Sequence, residues 1–282
     1  MKDIILDTLV DNLKIIPFLI LAFFIIELLE HKVDKKSKKV IASSGKFGPL
    51  LGSILGVIPQ CGFSVVATNL YITRIISLGT LIAIYLSTSD EMLPILLSEN
   101  VEASIILKFI ITKLIFGIFW GFLIDFALKK KKAKKEDYAI CEHDECHCNS
   151  NIFISVMKHT INTFLFLIAV SFILNLVMYY KGNDAVSKLF LKSSVFSPFI
   201  TSLIGLIPNC GASVAITKLF LSGAINFASA ISGLLTGSGV ALLVLYKSNN
   251  NFKENLKITS LLYLIGSISG VILLLLTKIH II

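Results

Sequence analysis

Charge is scarce in this chain. Of its 282 residues, 16% are Asp, Glu, Lys or Arg, while 55% are hydrophobic, and the mean hydropathy is +0.84. So little charge among so many long apolar runs excludes an ordinary soluble domain and predicts a polytopic membrane protein. The net charge of +8 is not a nucleic-acid footprint, because the lysines cluster in short loops, the pattern that orients membrane spans. No G-x-x-x-x-G-K-[ST] stretch occurs, so no loop that cradles the phosphates of ATP is expected. Gly237-Ser238-Gly239 lies inside an apolar run, where a lone G-x-G says little. No serine, histidine and acid set is placed for hydrolysis, and the chain reads as a non-enzyme. The opening Met1-Lys2-Asp3 lacks a small-residue cleavage site, so no removable signal peptide is expected. The five cysteines show no disulfide framework: two lie in apolar runs and three in one polar linker.

What is present is a duplicated break. Ile58-Pro59-Gln60-Cys61-Gly62 interrupts one apolar run, and Ile207-Pro208-Asn209-Cys210-Gly211 interrupts another, 149 residues later. At that offset Phe47–Ile72 overlies Phe196–Leu221 with 12 identities in 26 positions, which marks an internal duplication. Proline removes a helix hydrogen bond, and the glycine beside it adds freedom. In lipid the freed backbone groups find no water, so such a break survives only where it is buried in protein or lines a wet cavity. Paired breaks in corresponding halves point to a transporter's binding site. A pair of structural kinks is the bland alternative, but kinks alone do not call for Gln-Cys and Asn-Cys beside them.

Spans are expected at about 12–29, 75–97, 103–128, 152–179, 224–246 and 258–279, with broken segments at about 47–73 and 195–221. The lysine-rich loops 31–46 and 129–151, the latter with six lysines between Lys129 and Lys135, should both be cytoplasmic. An even number of crossings must then lie between them. Spans 75–97 and 103–128 supply two, so the first broken segment supplies none or two. Each of its limbs has about 13 residues, or about 20 Å of helix, against an apolar core of about 30 Å. That length suits a hairpin whose tip stops within the membrane. The same parity puts the N-terminus outside and makes the two halves inverted repeats. The expected organisation is residues 1–128 as the first repeat, 129–151 as a cytoplasmic linker and 152–282 as the second repeat.

The tips would place soft sulfur from Cys61 and Cys210 beside amide oxygen from Gln60 and Asn209, with freed backbone carbonyls around them. Thiolate selects soft ions, and oxygen donors suit manganese or similar divalent ions. Asp90 and Glu91 sit within an apolar run beside Ser87, Thr88, Ser89 and Pro94, where carboxylates are costly and usually functional. Exposure at a helix end is the competing reading. Their counterparts are Gly239 and Val240, and Ser238 is the counterpart of Ser89. Arg74 and Lys218 are expected to snorkel from limb ends, and Asp125 to pair with Lys129 at a helix end. The linker holds Cys141, His143, Cys146, His147 and Cys148. Their spacing does not match a closed zinc site, and an accessory chelating tract fits them better.

The two P-[QN]-C-G segments, the Ser-Asp-Glu stretch at 89–91 and the Cys/His linker resemble those of a family of ten-helix heavy-metal exporters. Its members are variously called arsenic efflux proteins or manganese transporters, and are distantly similar to organoarsenical permeases. The resemblance covers nearly the whole chain. It implies export across the cytoplasmic membrane, a direction that composition and spacing do not give, and ten helices when each broken segment counts as two passes.

The expectation is therefore an all-α integral membrane protein of two inverted repeats, each with a broken or re-entrant hairpin. The site residues would be Gln60, Cys61, Asn209, Cys210, Asp90, Glu91, Ser89 and Ser238. No cofactor is expected, the metal ion being the substrate. The expected partners are that ion and the bilayer, not nucleic acid, and a homo-oligomer is compatible with this reading. Manganese is the expected cargo, because two amides, two acids and two cysteines describe a mixed site better than a sulfur-only one. Arsenite or an organoarsenical is the alternative. A metal-responsive membrane sensor and a membrane enzyme are the competing classes.

Overall fold

The computed structural model describes residues 45–57, 61–88, 92–128, 161, 195–208 and 211–278. Among them the fold is all-helical, with no strand. In the first half, a short 3-10 turn at Gly45–Phe47 leads into α1 (Gly48–Gly56), followed by α2 (Cys61–Ile72), α3 (Leu78–Ser87), α4 (Met92–Ser98) and α5 (Ala103–Ala127). The second half has α6 (Ser197–Gly205), α7 (Gly211–Leu221), α8 (Phe227–Thr236), α9 (Ala241–Ser248) and α10 (Phe252–Lys278). Every helix of the first half finds its counterpart 149 residues later, to within one or two residues at each end.

Local signals explain the repeated boundaries. Pro49 and Pro198 stand in the first turns of α1 and α6, where a missing N–H costs nothing. Ser77 caps α3 by accepting from the Thr80 N–H, and Asn226 caps α8 by accepting from the Ser229 N–H. Between α2 and α3 the chain reverses through Arg74, whose φ is 60°, and between α7 and α8 through Gly223, whose φ is 72°. Both turns close with the same pair of bonds, Ile75 N–H to Leu70 O and Ala224 N–H to Leu219 O.

Packing shows how the helices run. Gly52 lies against Thr80 and Ile84, and Gly56 against Ser87, so α1 runs alongside α3 in the same direction. The tight turn after Ile72 returns the chain to the start of α3. Helices α1 and α2 are thus limbs of a hairpin that opens at the N-terminal end of α3. Gly117 meets Ser53 and Ala83, and Gly121 meets Pro49 and Gly79, so α5 lies antiparallel to α3. The second half repeats this packing. Gly205 meets Gly233 and Thr236, while Gly266 and Gly270 meet Ser232. Close approach through small residues is how helices associate where lipid removes the hydrophobic drive. Buried hydroxyls stitch the same seams: Ser202 shares a bond of 2.6 Å with Ser232, and Thr236 donates to Ser202 O at 2.9 Å.

The halves interlock. Helix α2 packs on α9, α4 on α7 and α3 on α8. Trp120 Nε1 donates to Ser269 Oγ at 2.9 Å, and these two residues are themselves repeat counterparts. Among the described residues, four helical runs are long and apolar enough to cross a membrane: Leu78–Ser98, Ala103–Ala127, Phe227–Ser248 and Phe252–Thr277. Large apolar side chains such as Leu107, Ile111, Phe122 and Phe126 on α5, and Leu264, Ile268 and Leu275 on α10, are exposed. Lipid is the medium in which such faces cost nothing.

Three elements differ from expectation. The run 75–97 is not one helix but α3 and α4, and the run 224–246 is likewise α8 and α9. Leucine-rich flanks hid these breaks, whose only sequence sign is a cluster of small and polar residues. Helix α10 begins at Phe252, earlier than 258, because Asn251 caps it through the Glu254 N–H. Finally, Arg74 and Lys218, expected at the limb ends, each find a carboxylate partner. Arg74 forms a two-pronged bond to Glu254, at 2.7 and 3.0 Å, and Lys218 pairs with Glu99. Each pair joins one half to the other.

Candidate functional site

The breaks define the centre. Helix α3 ends at Ser87, and buried Thr88 turns the chain out of helical geometry while its hydroxyl donates to Ile84 O at 2.6 Å. Ser89, Asp90 and Glu91 follow and lie outside the described residues. Helix α8 ends at Thr236, and residues 237–240 break it before α9. The flanks of the hairpin tips sit beside these breaks. A methyl group on Gly56 would come within 2.2 Å of Ser87 Oγ, and one on Gly205 within 2.2 Å of Thr236 Oγ1. Each hairpin therefore turns next to the break in its own half. The tip residues Gln60, Asn209 and Cys210 lie outside the described residues, as does the side chain of Cys61, with which α2 begins. The linker residues Cys141, His143, Cys146, His147 and Cys148 also lie outside them.

One residue ties the two breaks together. Lys113, in the middle of α5, is buried, with 1% of its surface exposed. Its Nζ donates to Thr88 O at the end of α3 and to Leu234 O in the last turn of α8, the latter at 3.0 Å. The last carbonyls of a helix lack intrahelical partners and carry the negative end of its dipole. Two such ends, one from each half, thus meet on a single ammonium. Its repeat counterpart is Leu262, fully buried and apolar. Ser238, 1% exposed, stands in the second break, and its hydroxyl has no hydrogen-bond partner. A buried polar atom left without a partner is rare and marks a place where an ion, water or ligand group would fit.

Sequence reasoning named Ser238 as a site residue inside an unbroken span, where the structure breaks the helix, and it passed over Lys113. The signal was there: an ionisable residue ten positions inside an apolar run is a functional candidate by default. Asp125 was read as a helix-end partner of Lys129. Lys129 lies outside the described residues, and the Asp125 carboxylate accepts from Ser77 Oγ at 2.7 Å and from the Gly79 N–H at 3.0 Å, where a negative charge steadies the start of α3. Among the described residues no three His, Cys, Asp or Glu side chains cluster. Lys113 Nζ reaches the backbone carbonyls of Thr88 and Leu234.

The electrostatics at the ends of the molecule are of a different kind. Glu254 gathers Arg74, the Tyr71 hydroxyl at 2.6 Å and, more loosely, Asn249. Hydrogen bonding to Glu254 holds the Arg74 guanidinium above its ordinary range, so the guanidinium stays charged at any physiological pH.

Comparison with known proteins bears on what such a centre serves. A family model, ArsP_2, described as "Putative, 10TM heavy-metal exporter", matches residues 1–180, 126–249 and 163–281. No curated protein and no solved structure matches the chain. The three family matches overlap and together run from residue 1 to residue 281, and the chain therefore belongs to this family of heavy-metal exporters.

Proposed function

We propose that the chain is a secondary transporter that exports manganese from the cytoplasm. Its two halves would work as inverted repeats about a site at the helix breaks. The observation that carries this reading is the pairing of broken helices with hairpin tips in both halves, each tip bearing Cys and an amide. Inversion is supported by the ion pairs. Arg74, at the hairpin opening of the first half, meets Glu254 beyond the far end of α8 and α9. Lys218, near the hairpin opening of the second half, meets Glu99 beyond the far end of α3 and α4. Helices α3 and α8 running in opposite directions satisfy both contacts, and parallel repeats satisfy neither. Trp120 meeting its own counterpart Ser269 fits an approximate two-fold passing between them.

In this arrangement the hairpins enter from opposite faces and bring Gln60, Cys61, Asn209 and Cys210 toward the centre. Chain continuity holds Ser89, Asp90 and Glu91 within three peptide links of Thr88, about 11 Å at most. Asp90 or Glu91 would supply the countercharge that a buried dication requires. Ser238 would add a hydroxyl from the other half. The N-terminus would lie outside. The linker 129–151 would lie in the cytoplasm, its Cys/His tract gathering metal without forming part of the path.

Arsenite or an organoarsenical is the second reading, favoured by the two cysteines of the tips. Flux separates the two. Uptake of Mn2+ and of arsenite into inverted vesicles is measured for Cys61→Ser, Cys210→Ser, Asp90→Asn and Glu91→Gln at matched protein levels. For manganese, the acid variants lose more flux than the cysteine variants. For an arsenical, either serine abolishes flux, because a hydroxyl replaces a soft thiolate poorly. Normal Mn2+ transport in both acid variants ends the manganese assignment. A wild type that moves no substrate returns the protein to the sensor and enzyme classes.

A further inference from the structure

We infer that the two ion pairs between the halves are the gates of the transporter, Arg74–Glu254 toward the cytoplasm and Lys218–Glu99 toward the outside. This rests on the transport reading above and adds to it how access to the site is controlled. Two equivalent seams join the halves. Helix α2 packs on α9, and its counterpart α7 packs on α4. Each seam sets a hairpin limb of one half against the short helix that follows the break in the other. The ion pairs stand at the ends of these seams away from the breaks. Arg74, in the turn after α2, reaches Glu254 in the first turn of α10, just beyond α9. Lys218, in the last turn of α7, reaches Glu99, the residue after α4.

The charges are not a remnant of the duplication. Arg74 and Glu254 have Gly223 and Ile105 as counterparts, and Lys218 and Glu99 have Asn69 and Ser248. A brace that the repeat itself required would use the same positions twice. Here the same connection is made at both seams from different positions. Each half is firm inside: Gly56 and Gly205 leave no room against their neighbours, and Thr68 on α2 bonds Tyr85 on α3 at 2.5 Å. The seams between the halves are thus where rocking of one half against the other can open the site to one face at a time. A partly exposed ion pair suits that role, because it adds little to overall stability yet biases two states a few-fold.

The two gates are built unequally. Glu254 also accepts from the Tyr71 hydroxyl at 2.6 Å and from Asn249 Nδ2 at 3.4 Å. The counterpart of Tyr71 is Phe220, whose ring meets that of Phe109 in the first half, with centroids 5.1 Å apart. The cytoplasmic gate is therefore gathered on one carboxylate, whereas the outer end keeps a ring contact when its charge pair is lost. Removing the charge of Glu254 should open its face more than removing that of Glu99 opens the other.

The test is the half-saturating Mn2+ concentration for uptake by the full-length protein (arsenite where that is the cargo moved), read from both faces. Inverted vesicles present the cytoplasmic face and right-side-out vesicles the outer face. A site open to a face for only a fraction of the time binds more weakly there by that fraction. Glu254→Gln should therefore lower half-saturation about threefold or more in inverted vesicles, and not lower it in right-side-out vesicles. Glu99→Gln should do the reverse, by about twofold or more. Arg74→Lys and Lys218→Arg, which keep the charges, should stay closer to wild type than the neutral variants. Where a glutamine variant fails to insert, Arg74→Met or Lys218→Met replaces it. Smaller shifts, equal shifts on both faces or shifts at the opposite face overturn the inference, since a brace without a gating role cannot tell the faces apart. Charge-keeping variants that shift as far as the neutral ones overturn it too. A wild type that moves neither cargo overturns the transport reading itself, so the two failures are distinguishable.

Discussion

At the residue scale, small side chains matter most where a neighbour's backbone leaves no room. A methyl group added to Gly205 would lie 2.1 Å from Gly233 O, a backbone atom that cannot swing away. At Gly237 the nearest atom would be 3.6 Å away, an ordinary contact. Gly205→Ala should therefore destabilise the protein by about 1–3 kcal/mol, the usual cost of overpacking a tight contact, while Gly237→Ala should be nearly neutral. Thermal unfolding in detergent measures both, and equal midpoints would show that α6 and α8 do not approach this closely in the membrane. Residue-level legibility was uneven for a physical reason. Proline, glycine and cysteine at the tips announce themselves because they conflict with an apolar helix. Lys113 and Asp125 conflict with it just as strongly, but their partners are a carbonyl 121 residues away and a helix start 46 residues away, and no local pattern reports those.

At the element scale the duplication was readable almost to the residue. The identities between 47–72 and 196–221 continue as matching helix boundaries through α5 and α10, where sequence identity alone had faded. The breaks after α3 and α8 were not readable as breaks. Thr88 and Gly237 end their helices through backbone turns, and hydropathy averages over such turns. The hairpin, in contrast, follows from limb length, and its direction can be tested. On the proposed topology the turn after α2 faces the cytoplasm, whereas a segment that crossed the membrane once would put it outside. Single cysteines are placed at Ile75, which is 42% exposed, and at Asn100, Lys38 and Lys132, in a background with all five native cysteines changed to serine. Those at Ile75, Lys38 and Lys132 should react with an impermeant reagent only from the cytoplasmic side, and that at Asn100 only from outside. Labelling of Ile75 and Lys38 from opposite sides would sink the hairpin.

At the scale of the whole molecule, among the described residues the halves are held by a buried centre and by an ion pair toward each end, and the two pairs are not equal. Glu254 receives both prongs of Arg74 and the Tyr71 hydroxyl, whereas Glu99 is paired with Lys218. Arg74 also sits at a positive φ of 60°, where the second half uses Gly223. A side chain in that conformation costs on the order of 1 kcal/mol, so its guanidinium contact must offset a strain that glycine would avoid. This decides the design of the test. Arg74→Gly would remove strain and ion pair together and report their difference, whereas Arg74→Met keeps the backbone cost and removes only the charge. A double-mutant cycle of Arg74→Met and Glu254→Gln, read by thermal unfolding, should give a coupling of roughly 1 kcal/mol, at the upper end for an ion pair with one exposed partner. The parallel cycle of Lys218→Met and Glu99→Gln should give less, since a point charge without bidentate geometry holds its partner less firmly. Equal couplings would mean that Tyr71 and the second prong add nothing, and a vanishing coupling for Arg74 and Glu254 would remove the contact that ties the turn after α2 to the start of α10.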